Sequence, residues 1–342
     1  MTQTTQRDSN FELFRLFAML LVMLVHANYT SLGNVTQSEL LDTPLSATVR
    51  VVCEQLCIVS VNLFVLLSGW FGIRPTLKKF ASLIFQVLFI GLSVTQICRL
   101  SGVEVPSRMF GDMLYFGASY WFVPAYIILF WLAPILNSYA EHASKRDFGW
   151  TLVAFYTFQS LFGWLSYDYG HYHNGYSAIS FVGLYLLARY LRLHAERLRA
   201  MAWWKHLACY LLLTAITATI SLVGLYLANK TYGATSYASL LVVGASVSLL
   251  LMFSNFHFHS KVVNWLSASA FAIYLVHQAP GAMQLYYQLF DRAYDTINGW
   301  LFIPFTLAVT LAIALASILF DKVRVVVWNG VLSLASRVKP QN

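Results

Sequence analysis

"NFELFRLFAMLLVMLVHANYT", residues 10–30, is apolar for the length a bilayer-crossing helix needs, yet it keeps Glu12, Arg15 and His26. Glu12 and Arg15 are three residues apart and share one helix face. His26 lies eleven residues beyond Arg15, which is about three turns and about 16 Å along the axis, so the two side chains leave the same face. One helix thus carries an ion pair at one boundary and an imidazole deep in the membrane. Ionisable groups within spans are costly and usually face the protein interior or a cavity.

The rest of the chain extends this reading. Of 342 residues, 58% are hydrophobic and 11% charged, against about 25% charged in a soluble domain. Composition therefore predicts an all-α polytopic transmembrane bundle. A barrel would show alternating segments of about ten residues instead. About ten apolar segments are expected, at 11–29, 50–71, 79–99, 119–138, 149–165, 176–191, 206–228, 236–254, 267–288 and 300–320. No repeat or linker divides them, so one domain over 1–342 is expected, with short cytoplasmic tails. The first run lacks a small-residue cleavage site and reads as a retained span. Most of the 22 Lys and Arg fall in one set of alternate loops; the other set holds only Arg50, Arg99, Arg108, Lys230 and Arg292. That bias puts both termini in the cytoplasm. It also accounts for the net charge of +8 without nucleic acid. The cysteines sit in apolar stretches and read as packing.

The polar residues inside these segments point to chemistry. A neutral histidine takes a proton from a hydroxyl as that hydroxyl attacks a carbonyl, and an aligned guanidinium suits an arriving phosphate or carboxylate. His26 is therefore the candidate base and Arg15 the anion anchor, with Glu12 as its partner. Snorkelling of Arg15 and a structural hydrogen bond from His26 are the plainer readings. In the second segment, Asn62 and Ser68 are polar, and Ser68-Gly69 permits close helix approach. Arg74, Lys78 and Lys79 follow, placed to hold phosphates but also expected of any cytoplasmic loop. Tyr120 and Trp121 fit an aromatic belt or a sugar-lined site. His277 lies about ten residues into the ninth segment, and Glu54 and Gln55 are further cavity candidates. His171, His173 and Asp168 meet no fixed ligand spacing, so an exposed polar loop is preferred to a metal site.

Four pieces, "FELFRLFAMLLVMLVHAN" (11–28), "NLFVLLSGWFGIRP" (62–75), "YWFVPAYIILFWLAPIL" (120–136) and "VNWLSASAFAIYLVHQ" (263–278), occur in order along the chain. Together they resemble the membrane acyltransferase 3 superfamily, which modifies surface polysaccharides, lipopolysaccharides and related glycans. The most specific is the Arg-x10-His pair, met by Arg15 and His26. The resemblance implies a multi-pass protein of the cell inner membrane and a cytoplasmic acyl-coenzyme A, acetyl first, as co-substrate. It implies transfer to a glycan hydroxyl reached from outside, with no bound cofactor or metal. His26 matches the family's essential histidine and Arg15 its paired arginine. Arg74 matches a basic position of the first loop. There the family often has two arginines, where this chain has one arginine followed by Lys78 and Lys79. The rival reading from the residues is a proton-coupled transporter or flippase, since intramembrane Glu, Arg and His also build relays. Its usual inverted repeats or paired broken helices are not visible in the sequence.

Overall fold

A computed structural model describes residues 8–114, 120–163, 171–231, 234–297 and 301–338, and these are helical with no strand. The helices are α1 Ser9–Val25, continued by a π-helical stretch His26–Thr30, α2 Gln37–Asp42, α3 Pro44–Cys57, α4 Ser60–Phe71 and α5 Leu77–Leu100. Then come α6 Arg108–Leu114, α7 Phe122–His142, α8 Lys145–Gly163, α9 Ala178–His194, α10 Glu196–Arg199 and α11 Trp203–Ala228. The chain closes with α12 Leu240–Ser254, α13 Lys261–Ser267, α14 Ala270–His277, α15 Ala282–Thr296 and α16 Phe302–Val338.

Among the described residues, six helices are long and apolar enough to cross a membrane. They are Ser9–Thr30, Pro44–Phe71, Leu77–Leu100, Phe122–His142, Trp203–Ala228 and Phe302–Leu334. The shorter α8, α9 and α12 occupy three more of the expected segments. The segment expected at 267–288 is broken. α14 stops at His277, Pro280 has no N–H to give a helix, and Gly281 takes φ +86° before α15 begins. The last helix runs past 320 to Val338, so Lys322 and Arg324 belong to it rather than to a tail. Arg324 is buried there and donates to both oxygens of Asp321 at 2.9 Å.

The chain folds into two compact units, one of residues 1–74 and 122–267, the other of 75–121 and 268–342. In the first, α4 packs against α1, α9 and α12. Gly69 lets α4 meet the α9 backbone, since a Cβ there would lie 2.5 Å from the Tyr185 carbonyl oxygen. α12 is short because the chain reaches it through non-helical backbone at 234–239. Such backbone needs protein partners. Asn62 Nδ2 donates to the Tyr237 carbonyl at 3.1 Å and Gln159 Nε2 to that of Ala238 at 3.2 Å. In the second unit, α5 packs against α6, α14, α15 and α16.

Candidate active site

The Arg15 end of α1 is fastened before it offers anything to a ligand. Asn10 Nδ2 donates to the Phe253 carbonyl at the end of α12, and Ser9 Oγ donates to Asn264 Oδ1 on α13 at 2.8 Å. Arg15 Nη1 donates to Glu12 Oε2 at 2.6 Å, and Ser267 Oγ donates to the same oxygen. Glu12 is buried, whereas the Arg15 side chain is about one-third exposed, so the carboxylate orients a guanidinium that still reaches outward.

Beside it, the turn after α4 is clamped. Gly72 takes φ +75°, Ile73 N donates to the Tyr185 hydroxyl at 2.8 Å, and Asn137 Nδ2 donates to the Ile73 carbonyl at 2.8 Å. Tyr185 in turn donates to Asn137 Oδ1. Arg192 donates to the Trp70 carbonyl and lies over the Trp70 and Phe71 rings at 5.8 and 5.1 Å. Phe11 of α1 packs on both rings, which ties this turn to the Arg15 helix. The exposed Arg74 follows immediately. The ends of α1, α4 and α9 thus bring Arg15 and Arg192 near the chain that leads to the exposed Arg74, a basic region suited to an anion, whereas Arg189 beside them is buried and donates to Glu141 at 3.3 Å.

His26 opens the π-helical stretch, and its carbonyl accepts from Ser31 N and, at 2.9 Å, from Ser31 Oγ. α-Helical geometry holds from Arg15 up to it, which preserves the shared face. A π turn inserts an extra residue and is common at functional sites. Here it delivers Asn28 to α3, where Nδ2 donates to the Arg50 carbonyl at 3.0 Å and to Glu54 Oε2 at 3.1 Å. A cavity of about 160 Å³ opens beside this turn, with Val25, Tyr29 and Glu54 in its wall.

Comparison with known proteins bears on this arrangement. A family model described as an acyltransferase domain, that of the acyltransferase 3 family, matches residues 8–319. The chain belongs to the acyltransferase 3 family. It is a membrane acyltransferase, and family membership favours acyl transfer over the transporter reading. No curated protein and no solved structure matches the chain.

The remaining candidates divide between the units. Glu12, Arg15, His26, Asn62, Ser68 and Arg74 lie in the first; Lys78, Lys79, Tyr120, Trp121 and His277 lie in the second. Asn62 serves the Tyr237 carbonyl, and Ser68 Oγ donates to Phe64 of its own helix, so both are occupied by the fold. Lys78 and Lys79 are exposed in the first turn of α5. Tyr120 is 0% exposed, and its hydroxyl donates to the Leu275 carbonyl at 2.8 Å, which removes it from an aromatic belt or an open sugar surface. Trp121 is half-buried. His277 is buried against Tyr274 and Tyr286, with Nδ1 donating to the Ile273 carbonyl at 2.6 Å. His171 and His173 have ring centres 5.8 Å apart, while Asp168 lies outside the described residues.

Nothing in the sequence pattern marks Asn28, Asn137, Tyr185, Asn264 or Ser267, and Arg189 and Arg192 read there as ordinary loop charge. Asn28 is legible there only as a polar residue two places past His26. The others hold site elements only through partners remote in the chain.

Proposed function

We propose that this membrane acyltransferase moves a small acyl group, acetyl in the first instance, from cytoplasmic acyl-coenzyme A to a hydroxyl of a surface glycan or glycan precursor. The proposal sets the protein in the cell inner membrane with both termini in the cytoplasm. The donor's phosphates meet Arg15 and Arg74. Its pantetheine arm runs along α1, and the thioester reaches His26 about 16 Å deeper. His26 takes the proton of the acceptor hydroxyl as the oxygen attacks the thioester carbonyl. The carbon–sulfur bond breaks, and the thiolate leaves with the proton from the imidazolium. Bound geometry supplies much of the rate. The thioester is already activated, so the transfer calls on no metal.

The observation that carries this reading is α1 itself. It holds an oriented, partly exposed arginine at one end, and His26 on the same face begins a π turn beside a cavity. The test is thiol release from acetyl-coenzyme A by purified protein in liposomes, with the mass of a glycan acceptor followed in parallel. His26→Ala lowers transfer by about 100-fold or more while donor binding persists. Undiminished transfer by folded His26→Ala protein overturns the assignment.

A further inference from the structure

The cavity beside the His26 turn has a wall that no part of this mechanism uses. Glu54 is 5% exposed, and only Oε2 is partnered, by Asn28; the buried Oε1 has no hydrogen bond. Leaving such an atom unpaired in a protein interior is costly, so its natural complement is a donor that arrives with a ligand. Gln55, whose Oε1 is also buried and unpaired, lines a different, smaller cavity together with Asn28, Arg50 and Ser221, and not this one. The cavity beside the turn is several times the roughly 30 Å³ that a water occupies in the liquid.

Its other walls narrow the ligand. Tyr29 and Tyr176 line it and are 37% and 45% exposed, so the cavity reaches the surface between aromatic faces. Asn174, Thr235 and Ser236 add an amide and two hydroxyls. The loops bearing them are held together: Ser236 Oγ donates to the Asn174 carbonyl, Tyr176 packs on Tyr237, and Gly175, at φ +97°, leaves no room for a Cβ against Tyr237. The nearby cation, Arg50, is engaged by Glu39 at 2.5 Å and the Gly33 carbonyl at 2.7 Å. Among the described residues none of those that line the cavity is basic, so nothing in its wall pairs with an anionic ligand. A carboxyl, an amide, two small hydroxyls and aromatic walls fit an uncharged polyhydroxylated ring.

We propose that this cavity is a sugar subsite in which the Glu54 carboxyl, part of its wall, hydrogen-bonds a hydroxyl of the acceptor; the sugar's role as acyl acceptor rests on the function proposed above. Val25 lines the cavity and Asn28 holds Glu54, so the subsite adjoins the turn that carries His26. A ring hydroxyl fixed at Glu54 would hold its neighbours in register with that turn, which makes Glu54 a determinant of acceptor choice.

Occupancy can be read without any chemistry. Thr235 lines the cavity and is half-buried. In protein lacking its four native cysteines, Thr235→Cys is labelled with N-ethylmaleimide in the presence of methyl glucoside, methyl galactoside or glucose 1-phosphate. The neutral sugars slow labelling and the phosphate does not. Glu54→Gln keeps the side chain's size and a carbonyl oxygen for Asn28, but replaces the other carboxyl oxygen with an amide nitrogen. It abolishes the protection and, in the transfer assay, raises the KM for sugar by about three- to tenfold, the effect of losing one hydrogen bond. If Glu54→Gln fails to fold, Tyr29→Ala carries the test, with weaker protection expected. Absence of protection by both neutral sugars, equal protection by glucose 1-phosphate, or protection unchanged in a folded variant overturns the subsite. Protection without thiol release instead refutes acyl transfer and supports sugar binding.

Discussion

Substitution of Gly69 tests how the basic end of the site is held. A Cβ at this position would lie 2.5 Å from the Tyr185 carbonyl oxygen, 2.8 Å from Tyr185 Cα and 3.0 Å from Ala188 Cβ. The first two are backbone atoms, which no rotamer change can move. In Gly69→Ala, α4 and α9 must therefore separate by roughly an ångström, and overpacking of this kind costs about 1–3 kcal/mol. Alanine is the better helix former by about 1 kcal/mol, which offsets part of that cost. The net loss for Gly69→Ala thus lies at the low end of the range, and Gly69→Val lies above it. The separation also reaches the donor end. Tyr185 holds Ile73 and Asn137, and Arg192, two turns further along α9, holds the Trp70 carbonyl. Gly69→Ala should lower the thermal unfolding temperature in detergent, followed by gel filtration, and should raise the KM for acetyl-coenzyme A. Adding Ala188→Gly relieves only the 3.0 Å contact and should restore neither. Wild-type unfolding with an unchanged donor KM in Gly69→Ala would refute the close-approach argument.

Arg15→Ala should raise the donor KM by about ten- to a hundredfold, the span of one charged hydrogen bond, with Arg15→Lys recovering part; steady-state kinetics in liposomes reads it. Asn62→Leu leaves the Tyr237 carbonyl unpaired inside the first unit. It should cost about 1–3 kcal/mol, read as a lower unfolding temperature. Tyr120→Phe removes the donor to the Leu275 carbonyl and should destabilise by a similar amount of about 1–3 kcal/mol. If Tyr120 contacted the sugar, its removal would change the acceptor KM instead.

Local rules carried much of the architecture. A helix in lipid satisfies its own backbone hydrogen bonds, so apolar run length alone located α1, the α3–α4 segment, α5, α7, α11 and α16. Spacing alone put Glu12 against Arg15, because an i,i+3 pair depends only on helix geometry. The same rule places Arg15 and His26 on one face, and four sequence pieces suffice for the family resemblance. The broken ninth segment was less legible. "HQAPG" at 277–281 contains both breakers, but they lay inside a run whose hydropathy overwhelmed them.

What a polar residue does inside the bundle was beyond the sequence. Asn62, Tyr120 and Glu54 are alike as polar positions in apolar runs. Contacts with residues 237 and 275 commit the first two to neighbouring carbonyls. Glu54 instead lines a cavity whose walls come from the π turn, α3 and two distant loops, and one of its oxygens has no partner in the fold. Likewise Arg189 and Arg192 read as loop charge until α9 was seen to end against the turn before Arg74. The sequence by itself determined that the chain is a helical membrane protein with an arginine and a histidine in line, because run length and helix pitch are properties of a single segment. Tertiary structure alone decided which polar groups are spent on the fold and which remain for a ligand, because a hydrogen bond is satisfied by whichever partner packs beside it.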